Sequence, residues 1–380
     1  MRAIAIVDGE HYPDVVRDAL AELPYEFVGV ILIGGTEKLR GEPDYGVPIV
    51  EDPGDASIVV DLSDEPVLDP QTRLALASRF LALGLAYVGA DFRFDPPTFH
   101  PFELPSVAVI GTGKRVGKTA VACHITQLLA RDRRVVAVAM GRGGPAEPEL
   151  VASRPGLGEL LALSRTGRHA ASDHLEVAAL TGVPTVGCRR AGGGMAGAPF
   201  ASNVLEGARA AASLEPDVVV FDGSGAAIPP IATSARVLVA HDLSGLNRYR
   251  ALVSDLILTM SDELAHSEGA LRFDLRLRPA EPLEGRVAVF TAGPVATAHL
   301  DAEVVHVSRN LARRDLLRDE LAGLEADTYL VELKAAAIDV VAEHALARGA
   351  RVVLAGNEVV APGLDDALLT LAPVAAAGGA

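Results

Sequence analysis

The sequence predicts an α/β protein in which a three-layer nucleotide-binding core sits between an N-terminal doubly wound α/β domain and a C-terminal α/β region. Three observations lead there. Short β-branched apolar runs alternate with segments of helical period along the whole chain, the pattern of parallel sheets. Most of these runs end in glycine or charged clusters, and ligands gather at the carboxyl ends of strands in such sheets. Residues 106–126, SVAVIGTGKRVGKTAVACHIT, read as a buried strand, a glycine loop closing on Gly-Lys-Thr, and a helix. That is the context a phosphate-binding P-loop requires.

In chain order, residues 1–103 carry strands at 3–7, 27–33, 57–62 and 86–88, with helices at 13–23 and 70–84. Their strand ends hold Asp8, Glu10, His11, Thr36, Lys38, Asp61, Asp64 and Glu65, which together suggest a functional edge or an inter-domain surface. The proline-rich DPPTFHPFELP at 95–105 reads as a linker.

Residues 104–282 form the expected ATP-binding core. In its loop, Gly111, Thr112, Gly113, Lys114, Arg115, Val116, Gly117, Lys118 and Thr119 would surround the phosphates. Glycines let backbone N–H groups converge on phosphate oxygens, the helix N-terminus adds its positive end, and Lys118 reaches the β/γ-phosphates. Thr119 would place its hydroxyl on Mg²⁺. Thr112 stands where such loops usually begin with glycine, so the loop is an atypical version. Strands at 135–140 and 183–186 lead into Gly141-Arg-Gly-Gly and Gly187-Cys-Arg-Arg-Ala-Gly-Gly-Gly. Arg189 and Arg190 beside three glycines suit phosphate gripping, because guanidinium forks bind oxyanions bidentately. The apolar strand 217–221 delivers Asp222, placed as a second Mg²⁺ ligand. Further strands fall at 236–240 and 256–260. Residues 283–380 repeat the alternation, with strands at 287–290, 304–307, 328–331 and 351–354 and a frayed tail after Pro373.

Composition narrows the function. With 380 residues and 49% apolar content the chain has material for two or three cores. A net charge of −16 argues against nucleic acid or an acidic membrane as partner, and no apolar run is long enough to span a bilayer. Cys123 and Cys188, far apart and without metal-ligand spacing, point to buried thiols in a reducing cytoplasm. Only four lysines, Lys38, Lys114, Lys118 and Lys334, stand against 30 arginines, which singles them out as positions where a compact ammonium matters.

The motifs together resemble the cyclic 2,3-diphosphoglycerate synthetases. The matching stretches are DGEHYP at 8–13, IGGTEKL at 33–39, DLSDEP at 61–66, IGTGKR at 110–115, VGKTAV at 116–121 and VAMGRGGP at 138–145. They continue with AASDH at 170–174, VGCRR at 186–190, GGGM at 192–195, GSGAAIPP at 223–230, SRNL at 308–311 and ELKAAAIDV at 332–340. All four lysines fall inside them. The P-loop core alone is also similar to dethiobiotin synthetase, with Lys114 displaced by one position from the second-position lysine of the partition ATPases. Asp222 stands where the family usually has Glu, and residues 231–282 look abbreviated relative to it.

The resemblance implies an ATP- and Mg²⁺-dependent ligase that closes the intramolecular phosphoanhydride of 2,3-bisphosphoglycerate, working as a cytoplasmic homodimer. It implies Lys114, Arg115 and Lys118 as catalytic cations, and Arg142, His174, Arg189, Arg190, Arg309 and Lys334 around the substrate. Two other readings stay open: a kinase acting on 2-phosphoglycerate or a related phosphate-ester ligase, and an ATP-controlled switch that binds a protein partner.

Overall fold

In the computed structural model, residues 1–34, 39, 41–168, 172–333 and 337–371 are described. Thr36, Lys38, Lys334 and the tail after Pro373 lie outside them. Contacts divide the chain into two compact units: residues 1–98 with 194–198 and 242–254, and residues 99–193 with 199–241 and 255–380.

The first unit holds β1 (Arg2–Asp8), α1 (Pro13–Glu22), β2 (Glu26–Ile33), β3 (Ile58–Asp61), α2 (Pro70–Ala82), β4 (Ala86–Val88) and β5 (Arg93–Phe94). Its sheet runs β2-β1-β3-β4-β5, parallel except for β5. Proline at the first helical position starts α1 and α2, and Asp69 caps α2 by accepting from the N–H groups of Gln71 (2.8 Å) and Thr72 (2.9 Å). Of the acids at the strand ends, Asp8 and Asp61 face inward, whereas Asp64 and Glu65 are exposed. Asp8, fully buried, accepts from the N–H groups of Glu10 (3.0 Å) and Asp64 (2.7 Å) and lies 2.7 Å from His11 Nδ1. Burial works against its charge, yet these bonds hold the carboxyl below the usual range. Asp61 takes Arg73 Nε (3.1 Å) and the Tyr87 hydroxyl (2.6 Å). Both carboxylates thus serve turns and packing within this unit.

The second unit opens with β6 (Ser106–Gly111), α3 (Lys118–Leu129), β7 (Val135–Gly141), β8 (Glu149–Val151), α4 (Leu157–Arg165), α5 (Asp173–Thr181), β9 (Thr185–Ala191), β10 (Ala201–Ser202) and α6 (Val204–Ala212). It continues with β11 (Val218–Asp222) and β12 (Ala235–Ala240). The next helix, α7 (Asn247–Leu252), belongs to the first unit and packs on α2. There the buried Arg250 donates from Nη1 to the carbonyls of Met195 and Leu246, each at 3.1 Å. The second unit resumes with β13 (Leu256–Thr259), α8 (Asp262–Glu268) and β14 (Leu271–Arg272). The sheet order β10-β9-β7-β11-β6-β12-β13-β14, with β8 on β9, is parallel apart from the β8 and β10 pairings.

Strand alternation makes this sheet three-layered. Ala137 and Ala139 of β7 cluster with Cys123 of α3 and Val177 of α5. Val138 and Val186 point the other way, so close to α6 that a Cβ on Gly207 would lie 3.6 Å from each. Helices therefore cover both faces, as the sequence predicts, and the core is of the P-loop NTPase type.

The remaining elements are β15 (Asp274–Pro279), β16 (Arg286–Phe290), β17 (Glu303–Ser308), α9 (Arg314–Leu321), β18 (Thr328–Glu332), α10 (Ile338–Ala347), β19 (Arg351–Val360) and α11 (Leu364–Leu371). They form a sheet ordered β15-β19-β18-β16-β17, in which only the β15–β19 pair is antiparallel. That edge strand precedes residue 283, the expected start of the C-terminal region, and its Asp274-Leu-Arg-Leu-Arg alternates charged and apolar residues as a half-buried strand does. One apolar cluster joins the two sheets: Ile125, Leu128 and Leu129 of α3 pack with Val359 of β19 and Leu364 and Leu368 of α11.

Close packing makes one glycine indispensable. A Cβ on Gly144 would lie 2.0 Å from the Cys188 carbonyl oxygen, a backbone atom that cannot swing aside. Gly144→Ala is expected to cost about 3 kcal/mol. An unchanged urea midpoint would contradict the packing described for this loop.

Candidate active site

The loop after β6 reaches α3 through two left-handed residues, Arg115 (φ 61°) and Gly117 (φ 94°), the latter capping the helix. A Cβ on Gly117 would also lie 2.9 Å from Phe273 Cζ, so glycine is required there on two counts. Thr112 accounts for its own departure from the usual glycine. Its N–H donates to the Val239 carbonyl (3.2 Å) and its Oγ1 accepts from the His241 N–H (3.0 Å), which ties the loop to the end of β12.

Parallel pairing of β11 with β6 sets Asp222 opposite Val109, directly beside the loop. Asp222 is 2% exposed and pairs with the ammonium of Lys118, a residue 9% exposed. The loop and the turn after Asp222 open into a cavity of about 720 Å³. Gly113, Lys114, Arg115, Gly117, Lys118 and Thr119 line one side, with Arg142 from the end of β7 beside them. Gly111, Thr112 and Val116 support the loop from outside that lining.

The facing wall comes from the C-terminal sheet: Thr291 and Ala292 after β16, Glu332 at the end of β18 and Asn357 of β19. Glu332 is 8% exposed, and its oxygens accept from the Ala292 N–H (2.8 Å) and Asn357 Nδ2 (2.7 Å). Asp173 and Glu176 from α5 add two more carboxylates. None of these acids was singled out from the sequence, although Asp173 and Glu332 fall within AASDH and ELKAAAIDV. The signal available was their place beside strand and helix ends in quoted motifs.

The other expected site residues are dispersed. Arg190 reaches inward, but its two terminal nitrogens are engaged: Nη2 donates to the Ser224 carbonyl (2.9 Å) and Nη1 to that of Gly192 (2.6 Å). It braces the Gly223–Gly225 turn that lines the cavity, and burial with the nearby Arg142 charge lowers its pKa. Arg189 is exposed and meets its neighbours through the backbone, its N–H donating to Asn203 Oδ1 (2.7 Å). Arg309 is likewise exposed, and neither lines the cavity. Lys334 falls outside the described residues.

His174 is 2% exposed, packed so closely on Gly187 that a Cβ there would lie 2.6 Å from the imidazole. It is a buried ring behind the site and does not line the cavity. Desolvation pushes its pKa below the ordinary 6.5, with Glu149 opposing. The unfolded chain therefore takes up this proton more readily, and the stability involved is present above pH 6.5 and lost as pH falls below it. Urea midpoints measured at about pH 7.5 and about pH 5.5 should differ more for the wild type than for His174→Gln. Equal differences in the two proteins would exclude this role.

The arrangement can hold a polyphosphate on the loop and a second anionic group near Arg142, with carboxylates opposite. Comparison with known proteins agrees with the motifs. The family descriptions cyclic 2,3-diphosphoglycerate synthetase N-terminal domain, P-loop domain and C-terminal domain match residues 2–95, 106–273 and 290–358. Among curated relatives, cyclic 2,3-diphosphoglycerate synthetase of Rubrobacter xylanophilus is 46% identical over 100% of this chain and 98% of its own length. Those of Thermococcus kodakarensis and Pyrococcus furiosus are 40% and 36% identical, covering 94% and 97% of both chains respectively. With three domain descriptions and full-length relatives in agreement, the chain belongs to the cyclic 2,3-diphosphoglycerate synthetase family.

Proposed function

We propose that this protein uses ATP to close the intramolecular phosphoanhydride of 2,3-bisphosphoglycerate, yielding cyclic 2,3-diphosphoglycerate, ADP and phosphate. The observation that carries the reading is that the P-loop cations and Arg142 line one cavity large enough for two anionic reactants. Phosphoryl transfer asks mainly for positioning and for cations on the moving charge. Lys118 turns from Asp222 to the β/γ-phosphates, while Lys114 and Arg115 neutralise the transferred phosphoryl. One substrate phosphate attacks the γ-phosphorus and releases ADP. The neighbouring phosphate then attacks the original ester phosphorus, and inorganic phosphate leaves as the P–O–P bridge closes. Arg142 offsets the repulsion between the two substrate phosphates. Arg190 acts one step back, fixing the Gly223–Gly225 turn.

Thr119 and Asp222 suit Mg²⁺ in kind and number. Both are hard oxygen donors beside the loop, and Mg²⁺ commonly binds through one or two protein oxygens plus substrate phosphates. No cluster of three or more His, Cys, Asp or Glu residues suited to a metal exists among the described residues, consistent with an ion that arrives with the nucleotide. Held by Thr119 and Asp222, Mg²⁺ would withdraw charge from the phosphate oxygens.

Cys123 and Cys188, both buried and neither in a disulfide, support a reducing, cytoplasmic setting, and no described helix is long and apolar enough to cross a membrane. The homodimer is proposed from the family resemblance and is read by light scattering.

A second reading, phosphorylation of 2-phosphoglycerate, draws on Asp173, Glu176 and Glu332, since a hydroxyl acceptor needs a general base and a phosphate acceptor does not. Phosphorus-31 NMR of the protein with ATP, Mg²⁺ and 2,3-bisphosphoglycerate decides between them. A cyclic phosphoanhydride signal is expected. ADP formation without that signal overturns the synthetase reading, and turnover seen only with 2-phosphoglycerate selects the kinase.

A further inference from the structure

A second cavity, of about 570 Å³, runs along one stripe of α3 formed by Ala120, Cys123, His124, Gln127 and Leu128, with Arg131 just past the helix end. Its other walls are the loop before α4 and the edge pair β15–β19. It is large enough for a small organic molecule. Leu128, Leu180, Leu333 and Leu354 give the cavity one apolar wall.

Among its polar groups one guanidinium is left available. Arg154 makes no hydrogen bond or ion pair among the described residues, and its guanidinium rests beside Gly182. Arg131 and Arg278 are ion-paired with Asp365 and Glu358, each at 3.6 Å. Of the remaining charged groups, His124 is bound to Asp365 (2.7 Å), and Glu281 is taken by Arg351 (2.6 Å). An apolar wall beside the Arg154 guanidinium suits an anion carrying an apolar body.

The two cavities share a wall. Asn357 lines both. Glu332 lines the catalytic cavity while the next residue, Leu333, lines the second. Asn357 Nδ2 donates to Glu332 Oε1 (2.7 Å), and Glu332 Oε2 takes the Ala292 N–H of the catalytic wall (2.8 Å). A molecule displacing Asn357 or Leu333 must disturb that chain of bonds.

We propose that the second cavity is an effector site for a small organic anion with an apolar body, coupled to the catalytic cavity through Asn357 and Glu332. The binding part stands independently of the reaction assigned above.

The probe is 8-anilinonaphthalene-1-sulfonate, followed by fluorescence on the full chain with and without ADP. One probe per chain is expected to bind with ADP present. Arg154→Ala and Leu180→Gln should each weaken it about tenfold, with ADP affinity preserved as the check on folding. Phenyl phosphate or benzoate should displace the probe and phenol should not; whichever anion competes better identifies the head group. Probe and ADP should change each other's affinity by one common factor, and Glu332→Gln should remove that factor while leaving probe binding intact. Full displacement by ADP, or undiminished binding in both second-cavity variants, overturns the site. A common factor of one, or a factor that survives Glu332→Gln, overturns the coupling.

Discussion

Lys118→Ala is expected to lower kcat/KM for ATP by about 10³-fold, because the lysine is the loop cation that bridges the β- and γ-phosphates in this reading. The buried pairing with Asp222 adds a second consequence. Removing one member of a buried ion pair costs about 3 kcal/mol, so the variant should also melt earlier. ADP binding should weaken along with turnover. Asp222→Asn separates the two effects: it keeps a polar partner for Lys118, yet loses the carboxylate proposed for Mg²⁺. Its turnover should fall while its urea midpoint moves less than that of Lys118→Ala. A folded Lys118→Ala protein with near-normal turnover would remove the P-loop from the mechanism.

Arg142→Ala should lower kcat/KM for 2,3-bisphosphoglycerate by about 10–100-fold, the loss expected when a charge-assisted hydrogen bond to an anion is removed. The ATP KM should stay within about twofold, since uniform loss of acceptor binding leaves the donor untouched. Arg189→Ala provides the contrast. The sequence placed Arg189 and Arg190 together as phosphate grippers, but the cavity is lined by Arg142 and by neither of them. Arg189→Ala should therefore change the acceptor KM by less than about twofold. Arg190→Ala should impair the site through the turn it braces, affecting ATP and acceptor together. Steady-state kinetics with each substrate varied in turn reads all three. A large, acceptor-specific defect in Arg189→Ala with none in Arg142→Ala would reverse the assignment.

How the chain directs its arginines shows where sequence reasoning stopped. Arg142 and Arg190 both follow apolar runs beside glycines, and nothing local distinguishes them. Pairing of β7 with β9 puts Arg189 opposite Gly141, so the next residue, Arg190, takes the inward path to Ser224 and Gly192. His174 is similar: a polar residue after Ser-Asp looked available to substrate, but the first turn of α5 packs it on Gly187. The strand-end acids Asp8 and Asp61 looked like a functional edge, and each is consumed by neighbouring N–H, hydroxyl or guanidinium groups.

What the sequence by itself determined is the local chemistry. The α/β alternation, the P-loop from Gly111 to Thr119 and Asp222 at the tip of an apolar strand all follow from periodicity, glycine placement and strand-end identity. These are properties of short stretches, set by backbone geometry within a few residues. Tertiary structure alone decided the second wall of the cavity, where Thr291, Glu332 and Asn357 face a loop more than 170 positions earlier in the chain. It also decided that 194–198 and 242–254 belong with the N-terminal unit. Those facts depend on sheet order and on which helices share a core, both settled by burial of apolar faces between distant segments. The loop can bind a triphosphate on its own chemistry, but what faces that phosphate is decided by the packing of the C-terminal sheet against α3.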